Sequence, residues 1–359
     1  MEKLQNIPPG SVLVTLVSEQ TIPNVMLIKQ LKAKLQNYLF IYTERTRLHL
    51  QWILQATGLQ TGNYRIFSMQ TFPEGYSAIF NDLQTFVDEK MQLPPHTPFL
   101  VNLTGGTKIM SLAVFNYFKQ HFDLSYFFYL PFGRNQVNEV YPASSVYPLS
   151  IKLSLEEYFT AYGMHIQASG ASVPKELSTP EQMMQALKKA KWQLPDNKAV
   201  QENADMSEAE KKYLTGEWFE LYCMLLIKKS LGLPDKAIAC GIKVQNMELS
   251  PAERYAANSD NEIDIAFVYE NRLYLAECKV LRGKSAATKV HNDAFYRLTT
   301  VAQRLGIACR KMVFALVDLS AQRDFVDRKA RLLGIDYVAD LNDFRKDMQL
   351  KSLFKKITG

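Results

Sequence analysis

Short, continuously apolar runs alternate with amphipathic stretches along the first 150 residues. Val12-Leu-Val-Thr-Leu-Val17, inside the run 11–17, has the composition of a strand buried on both faces. Residues 23–36 then carry helix-period apolar positions, with Pro23 near the first turn. The same alternation continues: strand 38–42, helix 45–56, strand 64–67, helix 76–91, strand 98–102, helix 109–120. Residues 124–130 and 137–141 add two further strands. Strands that alternate with helices predict an open, mostly parallel α/β sheet. In such sheets ligands sit at the carboxyl ends of the strands.

The pattern changes after that. Pro, Gly and Ser punctuate residues 165–206, with a short amphipathic stretch at 182–192, so 151–206 reads as a linker with helical pieces. Ser207-Glu-Ala-Glu210 is a capping-box sequence that opens a helix to about Leu231. A strand follows near 241–247, then a hairpin, a helix over 290–305, a strand over 312–319, a helix over 323–333 and a last short strand at 336–339. The predicted divisions are therefore 1–150, 151–206 and 207–359.

The hairpin organises the second half. Ile263, Ile265, Phe267 and Tyr269 alternate with Asp264, Ala266 and Val268, and Arg272 to Val280 is a second run of strand formers. Glu270-Asn271 is the expected two-residue turn. If Tyr269 pairs with Arg272, Asp264 faces Glu277 and Glu262 faces Lys279, all on one patch. Carboxylates among apolar neighbours are costly unless paired, and two adjacent ones repel. A divalent cation removes that repulsion. A nearby lysine can then position or deprotonate water, or stabilise charge developing on phosphorus. The alternative is an edge hairpin with solvated Asp, Glu and Lys.

Composition sets bounds. The chain's 359 residues suffice for two domains; 47% are hydrophobic and 22% charged, as in soluble globular proteins. Net charge is +6 and the pI about 8.9, compatible with a polyanionic partner without requiring one. Cys223, Cys240, Cys278 and Cys309 follow no metal or disulfide spacing, so reduced, buried thiols in a cytoplasmic protein are expected. There is no basic-then-apolar leader and no run long enough to span a membrane.

Two strand ends in the first half carry candidate chemistry: Leu16-Val-Ser-Glu-Gln-Thr-Ile-Pro-Asn24 and Asn102-Leu-Thr-Gly-Gly-Thr-Lys108. Paired glycines let backbone approach phosphate, Thr104 and Thr107 offer hydroxyls, Lys108 offers charge, and the next helix offers free N–H groups. The spacing is neither G-x-x-x-x-G-K-S/T nor G-x-G-x-x-G; a plain strand-to-helix turn is the alternative. Arg282, Lys284, Lys289, Arg297, Arg304, Arg310 and Lys311 form a basic run that suits a phosphodiester backbone, or else a solvated helix face.

The order α-β-β-β-α-β, with Asp264 followed by Glu277-Cys278-Lys279, resembles the PD-(D/E)XK nuclease superfamily. The resemblance implies that Asp264 and Glu277 bind Mg²⁺ or Mn²⁺ and that Lys279 assists the attacking water. An acid from the preceding helix often completes such sites; Glu220, in Gly216-Glu-Trp-Phe-Glu220, is the better match and Glu217 the second. Asn261-Glu262-Ile263-Asp264 departs from the literal Pro-Asp. In the first half, Val17-Ser-x-Gln-x-x-Pro-Asn24 with Asn102-Leu-Thr-Gly-Gly-Thr-Lys108 resembles the Rossmann-like CARF sensor domain. Together the halves resemble the cyclic-oligoadenylate-activated ancillary nucleases of type III CRISPR antiviral defence. That resemblance implies a homodimer with one two-fold ligand pocket, a cyclic tetra-adenylate or hexa-adenylate activator, and cleavage of DNA, RNA or both. Its ligand residues map onto Ser18, Gln20, Asn24, Thr104, Gly105, Gly106, Thr107 and Lys108, with Thr43 and Glu44 at a neighbouring strand end. Two rival readings are a non-catalytic sensor whose second domain only binds nucleic acid or a partner, and a first domain that degrades its own activator.

Overall fold

The computed structural model describes residues 7–170, 172–194, 197–247, 262–281 and 290–346. Residues 259–261, ahead of the hairpin, and the cations Arg282, Lys284 and Lys289 lie outside them. The chain divides into two compact units, Met1–Met164 and His165–Gly359.

The first unit is built on seven strands: β1 (Val12–Leu16), β2 (Asn37–Tyr42), β3 (Arg65–Gln70), β4 (Phe99–Asn102), β5 (Ser125–Tyr129), β6 (Gln136–Tyr141) and β7 (Ser145–Pro148). Their order is β3-β2-β1-β4-β5-β6-β7, parallel from β3 to β5 and antiparallel over the last two. The intervening helices are α1 (Ile22–Leu31), α2 (Arg47–Thr57), α3 (Tyr76–Phe86) and α4 (Lys108–His121). Val12, Val14 and Leu16, Leu39 and Ile41, and Phe99 and Val101 share one apolar core with α3 and α4 residues such as Ile79, Leu83, Val114 and Phe118. All five residues of β1 are buried, which fits a central parallel strand covered on both faces. Chain order reverses at β1: β2 lies on one side and β4 on the other. The carboxyl ends of β1 and β4 are therefore neighbours at the switch point.

Residues 151–206, expected as a linker with helical pieces, hold the helices α5 (Leu155–Thr160) and α6 (Pro180–Lys189) and also a strand, β8 (Met164–Ser169). Ser154 and Thr179 each close a capping box that starts the helix behind it. β8 is an edge strand of the second sheet.

That second sheet also contains β9 (Ile238–Asn246), β10 (Glu262–Tyr269), β11 (Arg272–Val280), β12 (Arg310–Leu316) and β13 (Tyr337–Ala339), in the order β13-β12-β11-β10-β9-β8. The capping box at Ser207 opens α7 (Glu208–Lys212), a π-helical turn at Tyr213–Glu217 follows, and α8 runs from Trp218 to Leu231. α9 (Phe295–Ala302) and α10 (Arg323–Leu332) come from the later half. Trp218, Phe219, Cys223 and Ile227 of α8 share a core with Ile265, Phe267, Tyr274, Ala276 and Cys278. All four cysteines are buried free thiols. No helix among the described residues is long and apolar enough to cross a membrane.

Candidate active site and ligand loops

The hairpin turn is Glu270-Asn271, with φ of +50° and +56°. Two consecutive left-handed residues match the right-handed twist of the strands they join. Tyr269 pairs with Arg272, and the register holds to Ile265–Ala276. There the ladder ends. Asp264 and Glu277 are not ladder partners, nor are Glu262 and Lys279, contrary to the expectation from spacing. The physical reason is visible at both strand ends. Cys278 donates its backbone N–H to Asp264 Oδ2 at 2.8 Å, and Glu262 gives its carbonyl to Arg297, whose Nη2 donates at 2.6 Å. Side chains make hydrogen bonds at these positions, and the acids lie just beyond the last ladder pair. On its other edge β10 pairs with β9 on both sides of Asp264, and the residue opposite, Gly241, has φ +61°.

Asp264 is 6% exposed and Glu277 2%. Glu277 Oε1 accepts from Lys279 Nζ at 2.6 Å and from Arg297 Nη1 at 3.1 Å. Lys212, at the end of α7, reaches Glu217 at 2.8 Å and Glu262 at 3.5 Å. Glu220 projects from α8. Burial and then the Asp264 charge push its carboxyl up to about 8, with Glu217, Glu262 and Glu277 adding to the effect. Asp264 is pushed up to about 7 by burial and by Glu277, against the opposing pull of Lys279, the Cys278 N–H and Arg297. Burial lowers Lys279, but Glu277 and Asp264 outweigh it, and the ammonium is held above its ordinary range.

Five carboxylates (Glu217, Glu220, Glu262, Asp264, Glu277) thus stand against three cations (Lys212, Lys279, Arg297). The formal excess of two carboxylates is offset by the protons that Glu220 and Asp264 hold toward neutrality. A hard dication with oxygen ligands suits that donor set, because it replaces protons as the counter-charge. Among the described residues, no three His, Cys, Asp or Glu side chains are grouped closely enough to hold a metal ion together. The fit is one of charge and donor type, with Glu277 neutralised by cations of the protein. Sequence reasoning placed Arg297 only in a basic run; its contact with Glu277 is a property of the fold.

In the first unit, the loops after β1 and β4 meet. A Cβ on Gly105 would lie 2.1 Å from the Leu16 carbonyl oxygen, so only glycine fits this approach, and Gly106 next to it has φ +72°. Thr107 caps α4 by accepting the Met110 N–H at 3.2 Å and donates to the Pro73 carbonyl at 2.8 Å. Gly106, Thr107 and Lys108 are exposed; Ser18, Gln20 and Thr104 are half-buried. Ser18 Oγ donates to the Gln20 carbonyl at 3.3 Å, and Gln20 Oε1 accepts from Tyr162 at 3.3 Å.

Asn24 stands apart from these. It is 1% exposed, accepts from Thr15 at 2.7 Å and Asn102 at 2.8 Å, and donates to the Leu16 carbonyl at 2.9 Å. Asn102 Oδ1 in turn accepts from the Thr104 hydroxyl at 2.6 Å, whose oxygen accepts the Leu130 N–H at 2.9 Å. This buried network ties the two loops together. Asn24 supports them, with Thr15 and Asn102 as its side-chain partners and Thr104 joined through Asn102. Thr43 is buried in the turn after β2, where it and Thr46 cap each other, and Glu44 lies exposed beside Arg47.

The Card1 CARF domain model matches residues 12–158, and the Card1-like endonuclease domain model matches residues 207–352. The chain is a CARF-domain endonuclease of the Card1 type. Its fold is shared by two solved structures. Can2 from Sulfobacillus thermosulfidooxidans, in complex with cyclic tetra-adenylate, superposes with a TM-score of 0.72 at 20% identity, over 98% of this chain and 97% of that one. Protein VC1899 from Vibrio cholerae gives 0.71 at 17% identity, over 97% and 99%. No curated protein matches the chain significantly. In this CARF endonuclease the Rossmann-like sensor is the first unit's sheet, and the restriction-endonuclease-like domain is the sheet that carries Asp264 and Glu277.

Proposed function

We propose that this CARF endonuclease hydrolyses phosphodiester bonds of DNA, RNA or both, uses Mn²⁺ or Mg²⁺, and is switched on by cyclic tetra-adenylate. The carrying observation is the end of the hairpin beyond its last ladder pair, where Asp264, Glu277 and Lys279 come together among buried neighbours. Asp264 and Glu277 would hold the ion, and Glu220 would hold a second ion or a metal-bound water. When bound, the ion supplies charge neutralisation at the scissile phosphate and activation of water. Lys279, held as an ammonium beside Glu277, donates hydrogen bonds and positive charge toward the developing phosphorane. Burial of Asp264 and Glu277 keeps bulk water from screening these charges.

Full-length fold likeness to Can2, which is solved with cyclic tetra-adenylate, favours that ring as the activator. Ser18, Gln20, Thr104, Gly105, Gly106, Thr107 and Lys108 would line the pocket, with Thr43 at its margin and Asn24 behind it. A ring with two-fold symmetry calls for two CARF domains, hence a homodimer. Ligand binding would then shift the population of nuclease arrangements that admit a strand. The setting that suits such a switch is type III CRISPR antiviral defence in the cytoplasm.

The test is to incubate the protein with Mn²⁺ and supercoiled plasmid, single-stranded DNA or RNA, with and without cyclic tetra-adenylate. Cutting that requires the ring supports sensor, nuclease and switch together. Cutting without the ring removes the switch. No cutting with cyclic tetra- or hexa-adenylate, alongside tight ring binding, leaves the non-catalytic sensor instead.

A further inference from the structure

Arg297 sits on α9, which packs on β11 and β12, and it bridges β10 and β11 beyond their last ladder pair. Its Nη1 donates to Glu277 Oε1 at 3.1 Å on β11, and its Nη2 donates to the Glu262 carbonyl at 2.6 Å on β10. The ladder between those strands has already ended at Ile265–Ala276. A guanidinium is planar and presents its donors as a rigid fork, so the two contacts fix one spacing between the strand ends. Glu277 is 2% exposed and cannot exchange these partners for water without opening the site.

We infer that Arg297 is a positioning residue for the catalytic acids: it sets the rotamer of Glu277 and the gap between β10 and β11 in which Asp264 and Glu277 face the ion. The inference rests on the metal-dependent reading above. It opposes what charge alone predicts. Removing a cation 3.1 Å from Glu277 should tighten binding of a dication if Arg297 acts only through its charge. If it acts by orientation, removing it should weaken binding, as loss of groups that orient metal ligands does by about 10–100-fold.

The experiment is calorimetric titration of Mn²⁺ into full-length wild type, Arg297→Met, Arg297→Lys and Asp264→Ala, without nucleic acid. Substrate kinetics are then read as separate kcat and KM. The expected result is Mn²⁺ binding about 10–100-fold weaker in Arg297→Met, with kcat lowered and KM for substrate little changed. Arg297→Lys should recover only part, because one ammonium does not span both oxygens. Mn²⁺ affinity in Arg297→Met equal to or tighter than wild type overturns the inference. If Arg297→Met does not fold by circular dichroism, Arg297→Lys carries the same comparison. Asp264→Ala separates the two levels. Lost binding there with an unaffected Arg297→Met sinks this inference alone, whereas wild-type affinity in Asp264→Ala sinks the metal site and the inference with it.

Discussion

Asp264 accepts the backbone N–H of Cys278 at 2.8 Å, across a strand pair whose own ladder stops one residue earlier. The acid thereby grips the residue between Glu277 and Lys279. Asp264→Ala should abolish cutting, a loss of about 10³-fold or more given the several kcal/mol a metal supplies at a phosphoryl transition state. It also leaves a buried N–H without its acceptor, which costs about 1–3 kcal/mol, offset in part by removing a buried acid. Binding of cyclic tetra-adenylate should survive. Cleavage assays, with ligand binding measured on the same preparation, check both halves; wild-type cutting by this variant would end the assignment.

The raised acids make stability depend on pH. Glu220 moves from an ordinary value of 4.5 to about 8 on folding, and Asp264 from 3.8 to about 7. The folded state therefore binds more protons than the unfolded state between those limits. Stability from these groups is fully present below about pH 4 and is lost as pH rises toward 8. Without divalent ions, melting of the nuclease domain should be higher near pH 5 than near pH 8. Glu220→Gln, which keeps a neutral side chain at every pH, should show a smaller drop. Melting curves of both proteins at the two pH values decide it. An equal drop in both would mean that Glu220 is not the buried acid.

Much of this architecture was legible in the chain. Strand–helix alternation gives the first sheet, and the two-residue turn at Glu270-Asn271 sets the hairpin register through Ala276. What escaped has physical causes. β7 is four residues ending in Pro148, too short for a period to register, and β8 is six residues in a segment whose composition reads as linker. Arg297 lies twenty positions from Glu277 on a different element, and no local pattern marks a long-range ion pair. Asn24 and Asn102 illustrate a further limit. Side chains proposed to contact a ligand and side chains that brace the loops beneath it are of the same types, and burial is what tells them apart.

Asn102 is fully buried, and its carboxamide joins Thr15, Asn24 and Thr104. Asn102→Leu is close to it in volume but strands several of those groups. It should cost about 1–3 kcal/mol for each buried group left unpaired. Because the network joins the loops after β1 and β4, affinity for cyclic tetra-adenylate should fall as well. Lys108, exposed at the start of α4, should behave differently. Lys108→Ala should leave stability within about 0.5 kcal/mol. It should raise the ring concentration for half-maximal cutting by about ten- to a hundredfold, the worth of a charge-assisted hydrogen bond of about 1.5–3 kcal/mol. Chemical denaturation beside an activation curve separates the two variants; equal behaviour in both measurements would merge bracing and contact into one role.

Gly105 gives the sharpest steric test. An added methyl would lie 2.1 Å from the Leu16 carbonyl oxygen, 3.0 Å from its carbon and 3.3 Å from Ser18 Oγ. Backbone cannot swing aside as a side chain can, so Gly105→Ala must push the loop after β4 away from the end of β1. Overpacking of this kind costs about 1–3 kcal/mol. For a domain of this size that corresponds to a drop in Tm of several degrees, at about 2–4 °C per kcal/mol. Gly62→Ala, where nothing lies within 4 Å, is the matched control and should be near neutral. The displaced loop carries Gly106, Thr107 and Lys108, so Gly105→Ala should lose activation by cyclic tetra-adenylate while Mn²⁺ affinity stays at the wild-type value. Calorimetry with each ligand reads the two sites separately. A Gly105→Ala protein that binds the ring as tightly as wild type would show that the approach of the two loops does not shape the ligand site.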